Sequence, residues 1–300
     1  MHALSASGTG LSGPDGSISP DDPPQATGVH LRIAGWTVAV EVADTGLRGS
    51  LRRLFSRFLV PAAEGGAVAR LEVVSPEVAR PAPATRELPR VQRAPEGSLH
   101  LEGEDYSATL AADGLRATVV GQGRFPVETV LKVMLAGALA RRGGLLVHGV
   151  AVAHQGRAAL FVGHSGAGKS TLGALWTEAG GELLSDELVA VWPERETGLP
   201  AWRVAGTPWN VGVPGEAMLS AVGTLAWDTG SRWESQPAGE VGRLLLLNAL
   251  LPEATATGRG GLLAAAGRLL SEVAPVRLVF ARDASAAAVV RGALEAVGHG

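Results

Sequence analysis

Residues 163–171 read GHSGAGKST and match the complete pattern G-x-x-x-x-G-K-[ST] of a phosphate-binding loop. The apolar run at 158–162 before the loop predicts a buried strand, and residues 169–179 after it predict a helix. Glycines in such a loop let successive backbone N–H groups point inward, where they and the helix N-terminus form a cradle for phosphate groups. The sequence therefore predicts a nucleotide-phosphate site between a strand and a helix.

The side chains of the loop supply an ammonium group and hydroxyls. Lys169 is predicted to reach the β- and γ-phosphates, and Ser170 to place its hydroxyl on Mg²⁺. Only two of the 26 basic residues are lysines, Lys132 and Lys169, and one of them occupies the position that requires a compact ammonium group. The predicted cofactor-binding residues are Gly163, Ser165, Gly166, Ala167, Gly168, Lys169, Ser170 and Thr171.

The composition of the 300-residue chain argues against several other classes of protein. Its formal net charge is −3 and its isoelectric point is near 6.2, so the sequence predicts no basic surface for nucleic acid or an anionic membrane. Cysteine is absent, which excludes disulfides, thiolate metal sites and a cysteine nucleophile. No run approaches the ~18 apolar residues of a membrane span, and no signal-peptide pattern is present. We expect a cytoplasmic protein.

Three regions are predicted along the chain. Residues 1–27 are rich in Ser, Gly, Pro and Asp and are predicted to be a disordered tail. Residues 28–142 predict a small α+β domain, in which residues 76–95 form an exposed connection and residues 98–120 an antiparallel meander. Residues 143–300 predict a P-loop nucleotide-binding domain, so the chain as a whole is expected to be mixed α/β.

A phosphate-binding loop of this kind needs an acidic residue near its metal ion, and the candidates are Asp186 and Glu187. They follow an apolar pair directly after the helix of the loop, as the second motif of nucleotide triphosphatases does. The alternative is a surface acidic turn between two strands. Transporter ATPases are excluded because they place their Asp-Glu pair far downstream, after an L-S-G-G signature that this chain lacks.

The order of three short motifs resembles the kinase domain of the HPr kinase/phosphorylase family, which shares a nucleotide-binding fold with PEP carboxykinase. These motifs are V-H-G-V at 147–150, the phosphate loop at 163–171, and L-S-D-E-L-V at 184–189. The resemblance is strong over residues 145–191 and weaker beyond them. It implies a PEP carboxykinase-like P-loop fold with ATP and Mg²⁺ as cofactors.

The same resemblance implies a role for each residue of the site. Asp186 takes the position of the catalytic base, His148 lies beside it, and Lys169 contacts the transferred phosphate. Ser170, with Asp186 or Glu187, holds the metal ion. The implied activity is ATP-dependent phosphorylation of a serine-type hydroxyl.

Two departures from the family pattern bear on the acceptor. The tandem acid of the family is Asp-Asp, and its second member here is Glu187. The E-x-R-G-x-G segment of true HPr kinases is absent, and residues 201–215 carry a Thr-Pro-Trp element instead. The acceptor is therefore expected to be free serine or a serine-containing peptide or protein other than HPr, because divergent relatives of this kind resemble free-serine kinases and kinase-like proteins of modified-peptide biosynthesis.

Several alternatives remain open at the level of sequence. The donor is ATP, GTP or pyrophosphate, and the chain is either an active kinase or an accessory protein that binds nucleotide with little turnover. His148 either tunes Asp186 or is a structural histidine at a strand end. Trp209 either stacks on adenine or belongs to the core, and Arg203 is a candidate phosphate contact. The region 28–142 either holds the substrate or builds a homo-oligomer interface.

Overall fold

The computed structural model describes residues 28–62, 66, 68–78, 81–83, 87, 89–194, 200–253 and 255–296. The tail predicted at 1–27 lies outside these residues. In the described part of the chain, runs of strands are separated by helices and the strands form two mixed sheets, which confirms the predicted mixed α/β composition. The described helices include none that is both long enough and apolar enough to cross a membrane.

The first sheet is built by the N-terminal part of the chain. Its strands are β1 (Gly28–Ile33), β2 (Trp36–Val42), β3 (Ala69–Val74), β4 (Arg90–Arg93), β5 (Leu99–Glu102), β6 (Ser107–Leu110) and β7 (Arg116–Val120). They pair in the order β1-β2-β3-β7-β6-β5-β4, with β2, β3 and β7 parallel and the other pairs antiparallel. The helices α1 (Thr45–Leu54) and α2 (Arg124–Arg141) contribute buried side chains to its core.

The predicted meander is present as β5, β6 and β7, but the exposed connection predicted at 76–95 was partly wrong. Its end forms β4, which pairs with β5 at the edge of the sheet. Three of the four residues of β4 are exposed, and Val91 is half-buried opposite Leu101. An edge strand with so few buried residues has nearly the composition of a loop, which explains the error.

The second sheet carries the phosphate loop. Its strands are β8 (Leu145–His154), β9 (Arg157–Val162), β10 (Glu182–Ser185), β11 (Leu188–Glu194), β12 (Ala201–Ala205), β13 (Glu216–Trp227), β14 (Arg232–Ser235) and β15 (Ala274–Phe280). Strand β8 pairs with β11, β11 with β12, β12 with β13, β13 with β9, and β9 with β8, so these five strands close a circuit of pairings. The helices are α3 (Lys169–Glu178), α4 (Ala238–Asn248), α5 (Ala256–Glu272) and α6 (Ser285–Ala296).

Three strands of the second sheet run parallel and end at one edge. Strand β13 lies between β9 and β15, with Thr224 opposite Val162 and Trp227 opposite Phe280. Side chains and loops that follow the carboxyl ends of parallel strands meet at the same edge of a sheet, where ligands of open α/β sheets bind. The phosphate loop follows β9 at this edge.

The two sheets share one apolar core through α2. Its buried side chains, among them Leu131 and Met134, belong to the same cluster as Leu146 on β8 and Leu188 on β11. The boundary predicted at residue 142 falls between α2 and β8, and it stays a prediction. The shared core brings one face of α2 close to the β10–β11 turn, where the predicted acidic pair lies.

Candidate functional site

The phosphate loop connects β9 to α3, as the sequence predicts. Gly166 and Gly168 have positive φ angles of 81° and 104°, which L-residues with side chains rarely adopt. A Cβ atom on Gly168 would lie 2.7 Å from Trp227 and 2.8 Å from Phe280, so only glycine fits there without displacing its neighbours. Helix α3 begins at Lys169, so its unpaired N-terminal N–H groups face the loop.

The Lys169 ammonium is buried against the loop. Its side chain is 7% exposed, and Nζ donates hydrogen bonds to the carbonyl oxygens of Gly163 at 2.8 Å and His164 at 3.1 Å. Burial lowers the pKa of Lys169 below its ordinary value. In the described part of the chain no carboxylate forms an ion pair with this ammonium. A buried cation held only by carbonyl dipoles is suited to receive an anion such as phosphate.

The predicted acidic pair lies in the turn between β10 and β11, on the opposite wall of the same cavity. Both side chains are half-buried. The Asn210 side chain donates a hydrogen bond from Nδ2 to Oδ1 of Asp186 at 2.7 Å, which fixes the orientation of this carboxylate. Asn210 itself has a φ of 57°, a left-handed conformation that asparagine tolerates better than most residues. Such strained positions gather at functional sites.

The loop that carries Asn210 is packed too tightly to move freely. The Thr207 hydroxyl donates to the Leu188 carbonyl at 2.6 Å and is fully buried. A Cβ atom on Gly206 would lie 2.2 Å from the Leu184 carbonyl oxygen, and one on Gly212 would lie even closer to the Thr207 carbonyl oxygen. The loop is therefore held directly against the strands that flank Asp186.

Helix α2 places a cation beside the acidic pair, at a position that no sequence motif marks. Lys132 Nζ lies 3.8 Å from Oε1 of Glu187 and 5.4 Å from the centroid of the Trp209 ring. Nearby, burial raises the pKa of Glu128, and the Glu187 carboxylate raises it further while Arg124 and Lys132 lower it. The acidic pair is thus not a turn on open surface, because it faces a packed and charged helix.

His148 lies near the middle of β8 and lines the cavity with Asp186 and Glu187. Burial and the neighbouring Lys169 ammonium lower the pKa of His148, while Glu187 and Asp186 oppose this shift. The ring is therefore neutral at neutral pH. The contacts of the described residues include no hydrogen bond from His148 to Asp186, so a role through hydrogen bonding would require a small movement or a bound ligand.

An arginine and a tryptophan form the wall at the far end of the loop. The Arg282 guanidinium carbon lies 4.5 Å from the centroid of the Trp227 ring, and the Trp227 indole donates a hydrogen bond to the Gly166 carbonyl at 3.4 Å. Neither residue was singled out from the sequence. Arg203, the candidate phosphate contact, instead lies 3.5 Å from Glu194 and does not line the cavity.

Together these elements enclose an open cavity of about 460 Å³. Its lining residues are His148, Ser165, Gly166, Gly168, Lys169, Ser170, Thr171, Asp186, Glu187, Asn210, Trp227 and Arg282. The structure thus brings the predicted catalytic residues, the metal-ligand candidates and six of the eight predicted loop residues to one cavity. Trp209 is 3% exposed beneath Lys132, so it is a core residue and offers no face to a nucleobase.

The donor set fits a hydrated Mg²⁺ bound together with phosphates. Ser170 is exposed to the cavity, and Asp186 and Glu187 offer carboxylate oxygens on the facing wall. The described residues contain no cluster of three or more acidic or histidine side chains that would hold a cation by themselves. Mg²⁺ commonly takes one or two carboxylates and completes its coordination with phosphate oxygens and water, which agrees with this arrangement.

No protein-family model matches the chain, and no curated protein matches its sequence. The resemblance to the HPr kinase/phosphorylase family therefore rests on the order and spacing of the three motifs alone.

Proposed function

We propose that the chain is an ATP- and Mg²⁺-dependent kinase of the HPr kinase/phosphorylase-like type, with a PEP carboxykinase-like P-loop fold. In this proposal it transfers the γ-phosphoryl group to a serine-type hydroxyl of a peptide, a protein or free serine, in the cytoplasm. One observation carries the proposal: the cavity that holds the buried Lys169 also holds the Asp186 carboxylate, oriented by Asn210. Phosphoryl transfer needs a phosphate cradle and a positioned base more than covalent chemistry.

The phosphate-loop wall and the acidic wall of the cavity have different roles in the reaction. The loop N–H groups and Lys169 bind the phosphates of the donor, while Asp186 accepts the proton of the acceptor hydroxyl. The hydroxyl oxygen forms the new bond to the γ-phosphorus as the bond to the β–γ bridging oxygen breaks, and ADP leaves. Mg²⁺, held by Ser170 with Asp186 or Glu187, would neutralise charge on the phosphates.

The hydrogen bond from Asn210 supports the assignment of Asp186 as base. Asn210 engages Oδ1 at 2.7 Å, so the other carboxylate oxygen would be the one to accept the proton of an acceptor hydroxyl in the cavity that Asp186 lines. His148 lines the same cavity, and its lowered pKa favours the neutral ring. Glu187 is less available to act as a base, because its Oε1 lies 3.8 Å from Nζ of Lys132.

Two substitutions test the proposal by separating binding from transfer. Lys169→Ala should abolish ATP binding measured by calorimetry, because the phosphates lose their buried cation. Asp186→Asn keeps an oxygen that accepts from Asn210, and Glu187 remains to hold Mg²⁺, so the variant should still bind ATP. It should nevertheless form ADP about 100-fold more slowly in the presence of acceptor, an order of magnitude typical of a lost general base. Normal ADP formation by Asp186→Asn would refute its role.

An accessory protein that binds nucleotide without turnover is the second candidate. Both carboxylates of the acidic pair have partners within the chain, Asn210 for Asp186 and Lys132 for Glu187. Such an arrangement suits a site that binds nucleotide without transferring its phosphate. This alternative predicts tight ATP binding with no phosphorylated product and an association with a partner that depends on nucleotide. The region 28–142 would then offer the interface, to a partner or to a second copy of the chain.

A further inference from the structure

The far wall of the cavity, formed by Trp227 and Arg282, lies at the end of the parallel strands next to the phosphate loop. Strand β13 runs beside β9 and ends at Trp227, and β15 runs beside β13 and is followed by Arg282. The acidic pair lies on the other side of the loop, in the turn after β10. A linear donor bound along the loop therefore has one end at the acids and its other end at Arg282.

Trp227 is fixed relative to the phosphate loop. Its ring packs against Phe280 with centroids 4.4 Å apart, and its edge lies against Gly168, where a Cβ atom would come within 2.7 Å. The indole N–H donates to the Gly166 carbonyl. Although it makes these contacts, Trp227 remains 38% exposed, which is unusual for a tryptophan so constrained.

The Arg282 guanidinium carbon lies over this ring, 4.5 Å from its centroid, and the nearby acids are engaged elsewhere. Asp228 pairs with Arg232 at 2.7 Å, and Asp283 accepts hydrogen bonds from Ser285. None of the ion pairs among the described residues involves Arg282. Among the contacts of the described residues, the guanidinium is thus held by its cation–π contact with Trp227, and Arg282 lines the cavity.

We propose that Arg282 on Trp227 is a nucleoside subsite, in which the base of a purine nucleoside triphosphate stacks on the outer face of the guanidinium. This inference rests on the proposed function, because it takes the phosphates to lie at Lys169. A planar guanidinium supported by an indole offers a stacking surface that every purine can use, and a lysine could not replace it. Pyrophosphate has no group to occupy the subsite, so the structure favours a nucleotide as donor.

Equilibrium binding of ATP and of inorganic tripolyphosphate to the full chain with Mg²⁺ tests the subsite. Arg282→Ala should weaken ATP binding about tenfold, the loss of one base-stacking contact, and leave tripolyphosphate binding within about twofold. Arg282→Lys should lose as much ATP affinity as the alanine variant. Arg277→Ala is the matched control, because it removes an exposed arginine of β15 that does not line the cavity, and it should change neither affinity.

Each other outcome overturns the subsite. Equal losses for ATP and tripolyphosphate, restored by Arg282→Lys, would make Arg282 a phosphate contact. No loss for either ligand in Arg282→Ala would remove it from the site. Both results leave the proposed function standing if binding to the wild-type chain depends on Lys169. A wild-type chain that binds neither ligand would refute the proposed function and the subsite with it. Arg282 is exposed, and circular dichroism melts of the variants check that they remain folded.

Discussion

Replacement of Gly168 by alanine should disable the phosphate loop through two separate effects. At φ 104° an alanine costs about 1 kcal/mol or more, because its Cβ crowds the backbone. The added Cβ would also lie 2.7 Å from Trp227 and 2.8 Å from Phe280, both of them large rings in contact with each other. Overpacking of this kind costs about 1–3 kcal/mol unless the backbone shifts. We expect the loop to move by several tenths of an ångström and ATP affinity to fall about 100-fold, since the cradle depends on aligned N–H groups.

Gly156 provides a matched control for the backbone effect. It lies in the β8–β9 turn with a φ of 75°, and a Cβ atom there would meet nothing within 4 Å. Gly156→Ala should therefore lower the melting temperature by a few degrees and leave ATP binding, measured by isothermal titration calorimetry, unchanged. Gly168→Ala should lower both. If the two variants had the same melting temperature and both bound ATP as tightly as wild type, the packing of Gly168 against Trp227 would not position the loop.

Three further substitutions test the acidic wall. Asn210→Gly removes the hydrogen bond to Asp186 and still accommodates the positive φ, so the melting temperature should not change. The loss of about 1–2 kcal/mol should lower kcat about 5- to 30-fold. An unchanged kcat would contradict the orienting role of Asn210. Lys132→Met frees Glu187 from a partly exposed ion pair, so the half-saturating Mg²⁺ concentration in an ATP-turnover assay should fall up to about fivefold. A higher half-saturating Mg²⁺ concentration would contradict the idea that Lys132 and Mg²⁺ compete for Glu187. His148→Asn tests the pH dependence of stability. Because the folded-state pKa of His148 lies below its ordinary value of 6.5, the wild type should lose stability as pH falls through about 6.5. Between melts at pH 7.5 and pH 5.5, the melting temperature of the variant should therefore fall less than that of the wild type.

The phosphate loop could be predicted from the sequence because all of its determinants are local. The glycines set the backbone angles, the preceding apolar run forms β9, and the following residues form α3 without help from distant parts of the chain. The positions of Asp186 and Glu187 are also determined locally. The pair follows α3 and the short strand β10, which pairs with β8. The structure has the predicted strand and helix on either side of the loop and places both motifs at one cavity.

The central strand β13 could not be predicted because its residues have weak strand preferences. It contains glycine, alanine and serine, small residues that let the parallel strands β9 and β15 pack closely on either side of it. A Cβ atom on Gly223 would lie 2.3 Å from the Val276 carbonyl oxygen, so the small residue permits the pairing with β15. Only the tertiary contact makes this strand favourable, and no pattern within the strand itself reports that contact.

Two side chains that line the cavity, and a third that contacts its acidic pair, could not be predicted because they come from distant segments. Asn210 comes from a loop 24 residues after Asp186, Lys132 from a helix of the other sheet, and Arg282 from the end of β15. No motif marks any of them. Composition does mark Lys132: it is one of only two lysines in a chain whose other basic residues are arginines. A lone lysine among arginines indicates a position where a compact ammonium is needed.

Mass spectrometry of the full chain incubated with ATP, Mg²⁺, free L-serine and a set of serine-containing peptides tests the central claim most directly. We predict an acceptor product heavier by one phosphoryl group, formed by the wild type and by neither Lys169→Ala nor Asp186→Asn. A product that persists in Asp186→Asn, or ATP that stays bound and intact with every acceptor unmodified, would contradict a kinase in which Asp186 is the base.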